Sequence, residues 1–150
     1  MTERQKPAGR VIALDIGSVR IGVAVTDPLG LFAQGIAVWR ADEDWRPKFE
    51  ECAERYSPRL ILLGMPRRTN GVWGPEAQKI EELTAELRSS YPHLRFETWD
   101  ERYTTVIAER ALLEGDVSRK KRRERVDKIA AALILQSWLE AREKGAQEKN

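Results

Sequence analysis

The four consecutive aliphatic residues Leu60-Ile61-Leu62-Leu63, bracketed by Arg59 and Gly64, constrain the fold of this chain more than any other feature. A strand of this kind has no polar face to offer water, so it requires cover on both sides, which a parallel position inside a helix-flanked sheet provides. The surrounding pattern supplies neighbours for it. Arg10 to Asp15 is a second apolar run, ended by a carboxylate and Gly17, as expected of a buried strand entering a tight turn. Arg20 to Thr26 alternates Ile21, Val23 and Val25, and after Asp27-Pro28-Leu29-Gly30 a third β-rich stretch runs from Leu31 to Trp39, so three hairpin-linked strands open the chain. Trp45, Phe49, Cys52, Ala53 and Tyr56 then recur at helical spacing within Asp42 to Tyr56, with Asp42 or Asp44 available as cap.

Beyond the strand at Arg59 to Gly64, a loop carries Pro66 and the Asn70-Gly71 turn signal, and Pro75 sits where a first helical residue belongs. That helix shows Ala77, Ile80, Leu83 and Leu87 on one face and reaches Ser89 or Ser90; the Tyr91-Pro92-His93 break leads into a strand from Leu94 to Trp99. His93 is expected to be an exposed turn residue without a catalytic role. Two helices follow, Thr104 to Glu114 and Val126 to Lys144, separated by Gly115-Asp116 and a basic run. The order β-β-β-α-β-α-β-α-α predicts an α/β fold with a mixed five-stranded sheet and helices on both faces. One domain over residues 10–144 is expected, with a flexible lead-in at 1–9 and a flexible tail at 145–150.

Composition narrows the function classes. No apolar run approaches the ~20 residues of a membrane span, and the first nine residues lack the apolar stretch of a secretory signal, so the expected location is cytoplasmic, with no membrane partner. A lone Cys52 cannot make an internal disulfide or a zinc cluster, and it reads as a small buried group. The net charge is only +2, but Arg119, Lys120, Lys121, Arg122, Arg123 and Arg125 place six cations in seven positions. Such a block either contacts polyanion or is a solvated loop or helix face.

Three carboxylates stand where chemistry can be argued on physical grounds. Asp15 ends a buried strand, where a charge is costly unless a cleft or a cation compensates it; an Asx-turn leading into Gly17-Ser18 is the structural alternative. Glu101 follows the last strand beside Asp100 and Arg102, where a strand exit with a local ion pair is the alternative. Asp127 shares a helical face with Ala131 and Ile134 and therefore points toward the sheet, although a capping role competes. All three sit at element ends that can meet at one rim of a parallel sheet, the crevice where open α/β folds bind ligands. Convergent acids of this kind suit hydrolysis by two divalent cations held ~4 Å apart across one phosphate.

The strings Leu14-Asp15-Ile16-Gly17-Ser18-Val19-Arg20-Ile21-Gly22-Val23-Ala24, Leu63-Gly64-Met65-Pro66 with Asn70-Gly71, Asp100-Glu101-Arg102-Tyr103-Thr104-Thr105 and Val126-Asp127-Lys128-Ile129-Ala130-Ala131 resemble the four motif blocks of the YqgF/RuvX family. The resemblance spans nearly the whole chain. It implies an RNase H-like sheet of the RuvC resolvase type and a nuclease acting on the 5′ end of pre-16S rRNA, in ribosome biogenesis. It also implies metal-binding acids at Asp15, Glu101 and Asp127 for Mg²⁺ or Mn²⁺. Asp100 then stands behind these ligands and orients them. Arg67-Arg68-Thr69 and Trp73 depart from the usual loop, which bears on substrate preference.

The expected chemistry is in-line phosphodiester hydrolysis without a covalent enzyme intermediate. Arg20, Arg67, Arg68, Arg102, Lys128 and the run from Arg119 to Arg123 are the expected nucleic-acid contacts, and the amides opening the helix after Gly74 offer another phosphate site. The expected partners are RNA, branched or single-stranded DNA, and the precursor of the small ribosomal subunit; monomer and homodimer both fit the pattern. A Holliday junction resolvase or other DNA-repair nuclease is one alternative. A non-catalytic RNA-binding assembly factor is another, and an actin-like kinase lobe is disfavoured because 150 residues leave no room for a second lobe.

Overall fold

The computed structural model describes residues 9–66, 74–100 and 119–148. Its strands are β1 (Val11–Ile16), β2 (Arg20–Thr26), β3 (Ala33–Arg40), β4 (Leu60–Met65) and β5 (Phe96–Asp100); its helices are α1 (Arg46–Tyr56), α2 (Pro75–Ser90) and α3 (Arg119–Glu148). The strands form one sheet in the order β3-β2-β1-β4-β5. β1, β4 and β5 are mutually parallel, whereas β2 and β3 return antiparallel as hairpins. The apolar run at 60–63 thus lies in β4, between β1 and β5, in the position its two-sided hydrophobicity demands.

Alternation along the strands sends side chains to two cores. Ile12, Leu14, Ile21, Val23, Ile61, Leu63 and Phe96 pack with Phe49 and Cys52 of α1 and with Ala77, Ile80 and Leu87 of α2. Val11, Ala13, Ala24, Leu60 and Leu62 pack instead with Ala131, Ile134 and Leu135 of α3. Helices therefore cover both faces. Cys52 is buried beside Phe49, and desolvation raises its thiol pKa to about 11, so it is an inert core group.

Three local expectations change. α1 starts at Arg46, inside the expected segment that opened at Asp42, with Pro47 in its first turn. Neither Asp42 nor Asp44 is the N-cap: Asp42 pairs with Arg40 at 2.8 Å, and Asp44 accepts the Arg46 N–H while Trp45 holds the cap position. β3 begins at Ala33, not Leu31, because the Asp27 carboxylate takes the N–H groups of Leu31 (2.7 Å) and Phe32 (2.9 Å) and holds them in the turn.

The third change concerns the basic run. It is not a connector before the last helix; it forms the first turns of α3, which runs 30 residues from Arg119. Lysine and arginine are good helix formers, and no glycine or proline interrupts residues 119–144. The helix expected at Thr104 to Glu114 lies outside the described residues.

Candidate active site at the rim of β1 and α3

Asp15 falls in the same alternation as Val11 and Ala13 and so faces α3. Its cross-strand partner is Gly22 on β2. A Cβ built at Gly22 would overlap the backbone carbonyl of Asp127 and would touch the Ala131 side chain at 3.4 Å. The absence of a side chain at Gly22 is therefore what lets α3 settle onto the sheet here. Directly opposed residues of an antiparallel pair stand roughly 5 Å apart. Asp127 is consequently delivered to the neighbourhood of Asp15 by backbone contact. Gly35 on β3 repeats the device one residue along, since its Cβ would meet the Lys128 carbonyl at 2.8 Å.

The Asp127 side chain is 20% exposed and accepts a hydrogen bond from Nε of Arg20 at 2.5 Å. A helix-capping role for Asp127 is excluded, because α3 begins eight residues earlier. Arg20, also an expected phosphate-backbone contact, donates its Nε to this carboxylate; it stands opposite Arg40 across β2 and β3, and Arg40 pairs with Asp42. Sequence reasoning placed both Arg20 and Asp127 near the site but missed their pairing, which links residues 107 positions apart.

The other expected site residues divide sharply. Asp100 ends β5 opposite Met65, a residue of the α1/α2 core, so it stands on the sheet face away from Asp15. Lys128 is exposed on α3, as are Lys121 and Arg125, one turn apart in the basic run. Arg119, Lys120, Arg122 and Arg123 share the helix backbone of that run. Glu101, Arg67, Arg68 and Arg102 lie outside the described residues. Gly74 is the N-cap of α2, with Pro75 in the first turn.

Asp15 and Asp127 offer hard oxygen donors of the kind that magnesium and manganese favour, and one edge of the pair is already balanced by a cation. Among the described residues no group of three or more His, Cys, Asp or Glu side chains gathers to hold a metal ion. Among the described residues the candidate donors are thus these two carboxylates, with Glu101 as the third candidate by sequence. Among the described residues no helix is long and apolar enough to cross a membrane.

Comparison with known proteins bears on the family and the fold. Residues 9–141 match the family model RuvX, described as Holliday junction resolvase. A Clostridium perfringens protein named "Putative pre-16S rRNA nuclease" is 46% identical over 134 residues, covering 87% of this chain and 96% of the relative. A Listeria monocytogenes protein of the same name is 42% identical over 135 residues, covering 87% and 97%. Among solved structures, Thermus thermophilus RuvC in complex with a Holliday junction substrate superposes with a TM-score of 0.52 at 14% identity, over 90% of this chain and 96% of that one. The yeast mitochondrial Holliday junction resolvase Ydc2 gives 0.51 at 14% identity, over 89% and 78%. These two likenesses establish a RuvC-type, RNase H-like fold. With nearly its full length matched by the family model and by relatives above 40% identity, the chain belongs to the RuvX family of nucleases.

Proposed function

We propose that this protein is a divalent-metal-dependent nuclease that hydrolyses phosphodiesters of RNA in trimming the 5′ end of pre-16S rRNA, with Asp15, Glu101 and Asp127 as ligands of Mg²⁺ or Mn²⁺. The observation that carries this reading is the approach of α3 to β1 over Gly22, which brings Asp127 beside Asp15 on one face of the sheet. A structural ion pair alone would not need a second carboxylate there. The names of the relatives from Clostridium and Listeria support the choice of substrate.

When bound, divalent ions supply the Lewis acidity that polarises a scissile phosphate and lowers the pKa of an attacking water. The chain itself contributes position and charge. Asp15 is fixed by the β1–β2 ladder, and Asp127 is fixed by helix packing and by Arg20, so neither carboxylate depends on a mobile loop for its placement. The exposed cations of α3, Lys121 and Arg125 before Asp127 and Lys128 just after it, lie along the same helix and would track a polynucleotide backbone.

A second reading, resolution of branched DNA, is favoured by the family model's description and by the RuvC-type fold. One experiment tests both: incubation with end-labelled pre-16S 5′ leader RNA, single-stranded DNA and a four-way junction, each with Mg²⁺, Mn²⁺ or EDTA. Metal-dependent cleavage of the RNA supports the proposal. Cleavage of the junction alone would replace it by the second reading, and binding without cleavage in every metal would leave an RNA-binding assembly factor.

A further inference from the structure

At the end of the sheet remote from Asp15, a cavity of about 240 Å³ opens between the start of β1, the β2–β3 turn and the second half of α3. Its walls include Arg59, which immediately precedes β4, Leu31 from the turn, and Gln136, Leu139, Arg142 and Glu143 from α3. Val11 on this wall and Asp15 are four residues apart along β1, or roughly 13 Å at the rise of a strand, so the cavity is separate from the carboxylate site.

Two of these wall residues meet over one indole behind the wall: the Arg59 guanidinium lies 5.6 Å and that of Arg142 5.3 Å from the ring centroid of Trp138, which does not itself line the cavity. Among the described residues neither takes part in an ion pair. The Nε of Arg59 is buried without a hydrogen-bond partner. A desolvated donor left unmet is costly, and two like charges held around one ring add repulsion that the ring's negative faces offset only in part. Gly9, at φ +77°, has no side chain to obstruct the Arg59 stem, whose Cδ would lie 2.9 Å from a Cβ at that position. Glu143 opposes the two cations and leaves the wall with an excess of one positive charge.

The geometry points to this cavity as a binding site for a phosphate monoester, its oxygens on Arg59 and Arg142 and its organic part against Leu31 and Leu139. Guanidinium forks match phosphate oxygens in pairs, and the small concave volume suits an end group better than a strand running through. The monoester is either a free mononucleotide or the 5′-phosphate of a strand end; both present the same chemistry. The preference for phosphate over carboxylate rests on the nuclease function proposed for the carboxylate site, whereas the cationic cavity stands without it.

The test is calorimetric titration of the full chain, without added metal, with inorganic phosphate, with AMP, and with a short 5′-phosphorylated oligonucleotide beside its 5′-hydroxyl twin. The comparison set is Arg142→Gln, Arg59→Lys, the cavity-filling Leu139→Trp, and the double variant Asp15→Asn/Asp127→Asn. Arg142 is exposed, so its variant folds even if substitutions at Arg59 do not. Binding of AMP that weakens about tenfold in Arg142→Gln, is lost in Leu139→Trp and persists in the Asp15/Asp127 double variant supports the site. Preference of the wild type for the 5′-phosphorylated over the 5′-hydroxyl oligonucleotide, abolished in the same cavity variants, identifies the strand end as source. Absence of binding at millimolar ligand, or binding that follows the Asp15/Asp127 variant instead, overturns it. Nuclease activity is scored separately on the same proteins, so failure of the cavity and failure of the nuclease reading are told apart.

Discussion

At the scale of single residues, the site turns on how two carboxylates are held. Changing Asp15 to Asn keeps its shape and removes its charge. Because loss of a group that merely orients a metal ligand costs 10- to 100-fold, loss of a ligand itself is expected to lower cleavage by more than about a hundredfold with the fold retained. Single-turnover cleavage and circular dichroism on the same sample check this, and wild-type turnover would remove Asp15 from the ligand set. Arg20 makes the opposite case. Its Nε occupies one oxygen of Asp127, so it competes there with any incoming cation. Arg20→Met is expected to tighten Mn²⁺ binding by about fivefold, the equivalent of a partly exposed ion pair. Titration followed by Mn²⁺ paramagnetic resonance reads this without reference to activity, and weaker binding would mean that Arg20 matters chiefly as the brace of Asp127. In sequence, Asp15 and Asp127 could be picked out beside apolar neighbours, although Asp127, expected at a helix end, lies inside α3, eight residues from its start. The pairing of Asp127 with Arg20 could not, because nothing local marks an arginine on one strand as the partner of an acid 107 positions later.

Secondary elements set the site by the way they touch. Gly22→Ala would drive a Cβ into the backbone of α3 at Asp127, and backbone cannot swing aside as a side chain can. A loss of about 1–3 kcal/mol in stability and a larger loss of cleavage are expected. Gly74→Ala is the control, since its Cβ would meet only the Glu76 carboxylate at 3.4 Å. Equal melting temperatures for the two variants would show that α3 does not depend on Gly22. The β2–β3 turn gives a pH signature. The N–H of Phe32, then that of Leu31, outweigh desolvation and hold the Asp27 carboxyl below its ordinary value of 3.8. The unfolded chain therefore takes up this proton first, so stability from this group is complete above about pH 4 and is lost as pH falls through the lower folded value. Asp27→Asn is expected to be less stable than the wild type at neutral pH and to converge on it in acid. Denaturant midpoints from pH 6 down to pH 2 measure the gap, and a constant gap would remove Asp27 as its source.

For the molecule as a whole, the net charge of +2 conceals a strong asymmetry, with six cations at 119–125 in the first turns of one helix. If these bind phosphates, replacing Lys120, Lys121, Arg122 and Arg123 by Gln should weaken nucleic-acid binding regardless of sequence. The slope of log affinity against log salt should fall by up to ~0.7 for each phosphate that is no longer neutralised on a single strand. Metal affinity should stay the same, because those cations act on the backbone and the carboxylates on one phosphate. Fluorescent-oligonucleotide titrations at several salt concentrations give both slopes, and identical slopes would mean that the first turns of α3 are simply solvated.

What the sequence by itself determined was the sheet and its layers. The two-sided apolar run at 60–63 could only be an interior parallel strand, the alternation of Ile21, Val23 and Val25 marked β2 as a hairpin strand, and the helical spacing of Ala77, Ile80 and Leu87 required a helix laid on the sheet. Each follows from local periodicity, which burial then enforces. Element ends were less legible: α1 and β3 start late because Pro47 and the Asp27 carboxylate act on backbone groups, against the trend of hydrophobicity. Only the tertiary structure decided that the basic run is helix, that Asp100 stands on the face away from Asp15, and that Arg59 and Arg142 meet over Trp138. Those outcomes depend on strand register and on where α3 crosses the sheet. A shift of one residue in register reverses the face of every side chain on a strand, so no reading of neighbours along the chain could have assigned them.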